Sequence, residues 1–173
     1  MRTIIATVAI ALLSLASTFA QTALVNTNID MPGFLKIARV AAAQRESRRV
    51  SEGDFIRLSQ TPGTVILDAR SRAMFDLLHI KGAVNLSFPD ITVESLAKNF
   101  PDKGQRILIY CNNNFRNEPI AFASKSAPAS LNLSTYVSLY TYGYTNVFEL
   151  GPLLDVKTTK IEFVRPPEKK AGH

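Results

Sequence analysis

Short apolar segments alternate with amphipathic ones along most of this chain. The clearest apolar segments lie at residues 65–67, 83–86, 107–110 and 147–150. Their length suits buried strands, and the intervals between them leave room for helices. Continuous apolar strands separated by helices are typical of a parallel sheet that is covered on both faces. The pattern therefore predicts an α/β fold whose functional loops lie at the carboxyl ends of the strands.

Spacing and capping residues predict the helices between those strands. The expected helical ranges are 34–49, 71–78 and 93–100. Ser51 with Asp54 resembles a helix start of the capping-box type. A further helix is expected to begin at Glu118–Pro119 and to break at Ala127–Pro128, after which Asn132 caps a second one. This additional segment, at about 124–140, can reshape the entrance to a site nearby.

The first twenty residues predict a secretory signal peptide. Arg2 precedes an apolar run from Ile4 to Ala16, and Thr18-Phe19-Ala20 is a small-residue cleavage site. The run is shorter than the ~20 residues of a spanning helix. We therefore expect an exported protein, periplasmic or secreted, with no stable membrane association after cleavage. An uncleaved N-terminal anchor is the alternative.

The remaining chain divides into three parts by composition. Residues 21–50 form a leader and an N-terminal helix, residues 51–154 the main domain, and residues 155–173 a C-terminal extension and tail. The formal net charge is +6. Four of the positive charges lie close together, at Arg39, Arg45, Arg48 and Arg49. Without a nucleic-acid motif, this cluster indicates a solvated helix face and no nucleic-acid partner, although the positive field attracts small anions.

Cys111 is the only cysteine, so no intramolecular disulfide can form. It directly follows the predicted strand at 107–110, where functional loops are expected. Backbone N–H groups of a turn and the N-terminus of a following helix both favour a thiolate there. A small buried hydrophobe is the alternative role of a lone cysteine. His79 and His173 lie too far apart in sequence to complete a zinc site with it.

Five pieces of the chain together resemble the rhodanese-like domain, in the family's order and at nearly its spacing. They are Asp68-Ala69-Arg70, the segment from His79 to Asn85, the strand leading into Cys111, Arg116, and the segment from Gly143 to Val147. The resemblance covers roughly Ser51 to Leu154. It implies a five-stranded, largely parallel sheet with helices on both faces and the cysteine loop above it.

Active members of this family are sulfurtransferases, so the resemblance implies that Cys111 is a nucleophile. Its thiolate would take the outer sulfur of thiosulfate or a similar anionic donor and pass it to a thiol or a cyanide-like acceptor. The resemblance implies no metal and no organic cofactor. The substrate-binding loop would consist of Asn112, Asn113, Asn114, Phe115 and Arg116. Its amides would surround the sulfur, and Arg116 would clamp the donor or fix the loop. The six-residue loop favours sulfur transfer over the phosphatase chemistry of the longer-loop branch.

The loop also departs from the pattern of active thiosulfate enzymes. Neutral Asn112 and Asn113 stand where cations often follow the cysteine, and Asn114 stands where a glycine is usual. Asparagine tolerates a left-handed backbone, which would preserve the loop. The alternative function is a catalytically silent rhodanese-like module that binds a partner or senses oxidants.

Four other residues are assigned from the same resemblance and from their chemistry. Asp68 is expected to cap a helix or bind backbone, and Arg70 to pair with an acidic neighbour. His79 is expected to support the fold. Phe115 is open between a pocket wall and the core.

Overall fold

The computed structural model describes residues 26–165 of the chain. The predicted signal peptide at 1–20 and the tail from residue 166 lie outside the described residues. The described residues from 31 to 165 belong to one compact unit. No helix within the described range is long and apolar enough to cross a membrane.

Helices and short strands follow one another as the sequence pattern predicts. In chain order they are α1 (Met31–Glu46), β1 (Arg49–Val50), α2 (Glu52–Ser59), β2 (Val65–Asp68), α3 (Arg72–Leu77), β3 (His79–Ile80), β4 (Ala83–Asn85), α4 (Val93–Asn99), β5 (Ile107–Tyr110), β6 (Phe115–Arg116), α5 (Leu131–Thr141), β7 (Val147–Leu150), β8 (Leu154–Asp155) and β9 (Phe163–Val164). Single 3₁₀ turns lie at Phe88–Asp90, Asn112–Asn114 and Ala127–Ala129.

The main sheet has five strands in the order β1-β7-β5-β2-β4, and every pairing is parallel. This confirms the predicted α/β fold with a five-stranded parallel sheet. β5 lies at the centre, where all four of its residues are buried. Its last residue, Tyr110, leads directly into Cys111. The cysteine therefore lies at the carboxyl end of the central strand.

Each face of the sheet has its own apolar core, because neighbouring strand residues point to opposite faces. Ile107 and Ile109 belong to one core, which α1, α4 and α5 cover. Leu108 and Tyr110 belong to the other, which α2 and the C-terminal extension cover. Helices on both faces are thus confirmed.

The first helix begins and ends three residues earlier than predicted. It starts at Met31 and ends at Glu46, and Arg49, which was expected in the helix, belongs to β1. Ala41 is fully buried and packs in the core, whereas Phe34 near the start of the helix is 52% exposed. Val93 is also exposed; it is the first residue of α4, directly after the N-cap Thr92.

The arginine cluster is only partly the solvated face that the sequence indicated. Both carboxylate oxygens of buried Glu149 on β7 accept hydrogen bonds from Arg45. Burial opposes the charge of Arg45, but this pairing outweighs it and raises the pKa of the guanidinium above its usual value. Arg48 lies 4.5 Å above the ring of Phe148 and donates to Asn146. These two arginines therefore anchor the end of α1 to β7.

The helix predicted at Glu118–Pro119 is wrong. Only one turn forms there, closed by the bond from the Phe122 N–H to the Glu118 carbonyl. The chain then extends to the 3₁₀ turn at Ala127–Ala129, and α5 starts only at Leu131. The predicted cap is wrong too, since Ser130 occupies the N-cap position and Asn132 is buried inside the first turn.

Candidate functional site

Cys111 is almost completely buried, with 1% of its surface exposed. It has an extended backbone and is followed at once by the 3₁₀ turn Asn112–Asn114. Its N–H donates to Asn114 Oδ1 over 2.9 Å, and its carbonyl accepts from the Asn114 N–H over 3.2 Å. The next amide, that of Phe115, bonds the carbonyl of Asn112. The backbone amides of the loop were expected to surround the sulfur. Two of them, those of Asn114 and Phe115, instead bond carbonyls within one tight turn.

Asn114 connects this turn to the sheet and to α5. Besides the Cys111 N–H, its Oδ1 accepts a bond of 3.0 Å from the side chain of Asn132. Its Nδ2 donates to the carbonyl of Leu150 at the end of β7 over 2.7 Å. Asn114 does not adopt a left-handed backbone; the positive φ of 65° lies at Asn117 instead. Asn114 thus supports the loop through its side chain.

The side chains of Asn112 and Asn113 bind the segment that follows the loop. We call residues 117–130 the covering segment. Asn112 Nδ2 donates to the carbonyl of Ala123 over 2.5 Å. Asn113 donates to the Lys125 carbonyl and accepts from the Lys125 N–H, both over 2.9 Å. The side-chain amides of Asn112 and Asn113 therefore tie the covering segment to the loop.

The covering segment ends on the sulfur itself. Ser130 Oγ lies 3.5 Å from Cys111 Sγ. Although Ser130 is the N-cap of α5, its side chain accepts none of the helix's free amides within the described structure. The positive end of an 11-residue helix therefore starts one residue beyond the contact with the thiol. Sequence reasoning missed Ser130, although serine directly before an apolar helical run is a cap signal.

Arg116 is not placed at the sulfur. It lies in β6, which pairs with β8, and 64% of its side chain is exposed. The carboxylate next to it among the described residues is that of Asp155, 3.8 Å away. Side chains alternate along a strand, and β6 buries Phe115, so Arg116 points outward. The role of Arg116 as a clamp for a donor stays a prediction.

Phe115 belongs to the core rather than to a pocket. Its side chain is 1% exposed, and its ring centroid lies 4.7 Å from that of Phe122 and 5.1 Å from that of Phe163. Phe122 comes from the covering segment and Phe163 from β9. The aromatic residue of the loop thus holds two later parts of the chain together.

A buried ion pair lies at the end of β2, beside β5. Three nitrogen–oxygen distances join the Arg70 guanidinium to the Asp68 carboxylate, the shortest being 2.6 Å. Arg70 also donates to the carbonyls of Leu78 and Ala121, each over 2.7 Å. Asp68 Oδ1 accepts from the Arg70 N–H as well, and Oδ2 accepts from the Tyr110 hydroxyl over 2.5 Å. Both residues therefore have the supporting contacts that the sequence predicted, while Ser71 caps α3.

Burial and charge set the protonation of this cluster. Burial alone would lower the pKa of Arg70. The hydrogen bonds and the Coulomb attraction to Asp68 more than offset this effect, so the pKa of Arg70 lies above its usual value. Burial, with the nearby Asp68 charge, raises the pKa of Tyr110 well above its ordinary range. The arginine is therefore charged and the tyrosine neutral at physiological pH.

His79 lies in β3 and contacts α3. Its Nδ1 is 2.8 Å from the carbonyl of Phe75, and the two rings stack with centroids 3.7 Å apart. Both contacts support the fold. Across residues 26–165, no group of three or more His, Cys, Asp or Glu side chains is placed to hold a metal ion.

A cavity of about 370 Å³ lies between α2 and the C-terminal extension, away from the thiol. Its floor is apolar and includes Phe55, Ile66 and Ile161, and Lys81 and Lys160 lie among its walls. Cys111 does not line it. With 1% of its surface exposed, the thiol is closed off from solvent in this conformation.

Comparison with known proteins identifies the domain. The family model for the rhodanese-like domain matches residues 51–150. No curated protein matches the chain. Similar solved structures include a rhodanese from E. coli with anions, at 22% identity over 59% of this chain and 98% of that one, with a TM-score of 0.40.

Two further structures share the likeness. The rhodanese-like domain of an Anabaena protein is 21% identical over 73% of this chain and 86% of that one, with a TM-score of 0.48. A thiosulfate sulfurtransferase from Pseudomonas aeruginosa is 18% identical over 67% of this chain and 20% of that one, with a TM-score of 0.42. The family match spans more than half of the sequence and coincides with the parallel sheet and the cysteine loop. This chain belongs to the rhodanese-like domain family.

Proposed function

We propose that this protein is a sulfurtransferase that carries a sulfane sulfur on Cys111. The observation that carries the proposal is the position of the thiol. It lies at the carboxyl end of the central parallel strand and beside the N-terminus of α5, in a domain whose family includes sulfurtransferases. The first amides of a helix have no intrahelical acceptor and favour a negative charge nearby. This position therefore stabilises both the thiolate and the persulfide anion of Cys111.

The reaction has two displacement steps. The Cys111 thiolate attacks the outer sulfur of thiosulfate or a similar donor; a bond forms between the two sulfurs, and sulfite leaves with the electron pair of the old S–S bond. In the second step a thiolate or cyanide attacks the outer sulfur of the persulfide, and the Cys111 thiolate leaves. Charge and electrons balance in both steps, and the chain's own groups supply only the nucleophile and its anion-stabilising surroundings. The donor is a small anion, in keeping with the net charge of +6.

Access to the sulfur is part of this proposal. Cys111 is 1% exposed, so the covering segment must move before a donor can bind. The segment is attached to the loop through Asn112 and Asn113, and most of its residues from Ala123 to Ala129 are exposed. A few hydrogen bonds at a protein surface open at modest cost. We therefore propose that the exposed part of the covering segment, residues 123–129, is the gate to the thiol.

A second candidate function is a silent rhodanese-like module that binds a partner or senses oxidants. The burial of Cys111 and the outward position of Arg116 favour it, because both remove features that donor binding uses. The two candidates differ in whether Cys111 accepts sulfur.

Intact mass distinguishes them. The purified protein without residues 1–20 is incubated with thiosulfate or another sulfane donor, and so is a Cys111→Ser variant. Sulfur transfer predicts an added mass of about 32 in the first protein and none in the second. A sulfinic acid has nearly the same added mass, but a thiol reductant removes only the persulfide. An unmodified protein with every donor, while iodoacetamide still alkylates Cys111, would support the silent module.

We also propose that the protein acts after export, in the periplasm or outside the cell, because residues 1–20 have the composition of a signal peptide. The mass of the protein recovered from the exported fraction tests this, since cleavage would leave Gln21 as the first residue.

A further inference from the structure

We infer that Ser130 is a catalytic residue whose hydroxyl donates a hydrogen bond to the sulfur of Cys111 in its thiolate and persulfide forms. The inference deepens the proposed function and rests on it. Ser130 lies 19 positions beyond the cysteine and outside the loop that the sequence predicted to bind substrate.

The geometry separates this contact from ordinary helix capping. A serine at the N-cap usually accepts a hydrogen bond from an amide in the first helical turn. Within the described structure Ser130 makes no such bond, and its Oγ instead lies 3.5 Å from Cys111 Sγ. The side chain thus gives up its usual local partner for the sulfur.

The direction of the hydrogen bond follows from the chemistry of the two groups. A hydroxyl is a good donor, whereas a neutral thiol is a weak donor and a weak acceptor. A thiolate accepts strongly and cannot donate. The hydrogen bond is therefore strongest when Cys111 is ionised. The N-terminus of α5 lies on the same side of the sulfur and adds to the stabilisation of the anion.

The path of the chain explains how Ser130 reaches this position. Because the covering segment is not helical beyond its first turn, α5 begins only after Ser130. The middle of the segment is held in place by hydrogen bonds from Asn112 to Ala123 and from Asn113 to Lys125. Asn132, two residues beyond Ser130, is fixed to Asn114 Oδ1, which also accepts the Cys111 N–H. The serine is thereby held between two attachments to the cysteine loop.

The test is the pH profile of Cys111 alkylation by iodoacetamide, measured without a sulfur donor, for the wild type, Ser130→Ala and Ser130→Thr. A hydrogen bond to an ionised group contributes on the order of a tenfold change in equilibrium. Ser130→Ala should therefore shift the midpoint of the profile upward by about one pH unit and slow alkylation at neutral pH about tenfold. The rate on the high-pH plateau should not fall, because access is not reduced. Ser130→Thr keeps the hydroxyl and should restore the midpoint, and Ser134→Ala, an exposed serine on α5, should behave as the wild type.

Three outcomes would decide the matter. A midpoint that stays in place in Ser130→Ala, or moves to lower pH, would overturn the inference, because the thiol would then be the donor or the contact irrelevant. A midpoint that shifts in Ser130→Ala and in Ser134→Ala alike would overturn it as well. A shift confined to Ser130→Ala supports the hydrogen bond even in a protein that takes up no sulfur, so failure of the proposed function is recognised separately, by mass.

Discussion

Arg70 is a fully buried guanidinium whose charge is balanced within the described structure by one carboxylate and two backbone carbonyls. Its side chain is 2% exposed and that of Asp68 is not exposed at all. Arg70 joins the end of β2 to the residue before β3 through Leu78 and to the covering segment through Ala121. Its guanidinium carbon also lies 4.3 Å above the ring of Phe122. One side chain thus positions parts of the chain that are distant in sequence.

Removing the partner of this charge should destabilise the protein strongly. Asp68→Asn leaves Arg70 buried without its counter-ion, which costs about 3–5 kcal/mol in comparable cases. The matched control is Asp76→Asn, which breaks the exposed pair between Arg72 and Asp76 and should cost less than about 1 kcal/mol. Urea unfolding of the three proteins measures both values. Equal midpoints for the two variants would show that the buried pair contributes no more than an exposed one.

At single positions the sequence predicted chemistry better than orientation. The pairing of Arg70 and the supporting role of His79 follow from residue type and local order. The burial of Phe115 and the outward turn of Arg116 depend on β6 pairing with β8, which lies almost forty residues later in the chain. The sequence around Phe115 and Arg116 does not reveal that pairing.

The covering segment connects β6 to α5. Between β6 and α5 it provides one helical turn, an extended stretch and a 3₁₀ turn. Its first part is fixed in the core by Ala121 and Phe122, which are 1% and 2% exposed, while Ala123 to Ala129 lie at the surface. A segment with a buried base and an exposed remainder opens locally without unfolding of the domain.

Loosening the surface part should expose the thiol. Asn113→Ala removes both hydrogen bonds to Lys125, each of which contributes about 1 kcal/mol, so the alkylation rate of Cys111 should rise on the order of tenfold. Asn99→Ala, which removes one exposed bond within α4, should leave the rate unchanged. Timed alkylation of the folded proteins with mass detection measures both. If Asn113→Ala reacts at the wild-type rate, the thiol is reached by another route.

The strands β2, β4, β5 and β7 were predictable because their apolar runs are unbroken, and α4 was predictable from its apolar spacing and from Pro101, which follows it. β1 was not predictable, because its two residues continue the pattern of the preceding helix. The start of α5 was not predictable, because Glu118–Pro119 and Asn132 both carry local helix-start signals. The long-range contacts decide between them: Arg70 binds the carbonyl of Ala121, and Asn114 binds the side chain of Asn132. Tertiary hydrogen bonds therefore override local capping preference in this segment.

Over the whole domain, the C-terminal extension closes back on the helix that begins the family-matched region. β9 pairs antiparallel with β3, and Ile161 is buried in the core. Glu52 in the first turn of α2 accepts hydrogen bonds from the Thr159 hydroxyl over 2.5 Å and from the Lys160 N–H over 2.6 Å. Both bonds lower the pKa of Glu52, and the bond from Thr159 has the larger effect.

This attachment should weaken in acid. The pKa of Glu52 is lower in the folded protein than its usual 4.5, so its contribution to stability is complete above that pH and is lost as the pH falls through the folded value. Glu52→Gln should therefore be less stable than the wild type at pH 7, and the difference should shrink below pH 4.5. Glu46→Gln, which removes an exposed carboxylate of α1, is the control. Unfolding midpoints from pH 7 to pH 3 decide; a constant difference across that range would mean that the Glu52 charge does not matter.

The central claim is that Cys111 not only accepts a sulfur but passes it on, and a single-turnover transfer tests it most directly. The protein is loaded with thiosulfate or the donor that gives the mass adduct, freed of excess donor, and mixed with cyanide, and thiocyanate is measured. The account predicts about one equivalent of thiocyanate per loaded Cys111, return of the protein to its original mass, and none from Cys111→Ser. A loaded protein that keeps its added mass and yields no thiocyanate would contradict sulfur transfer.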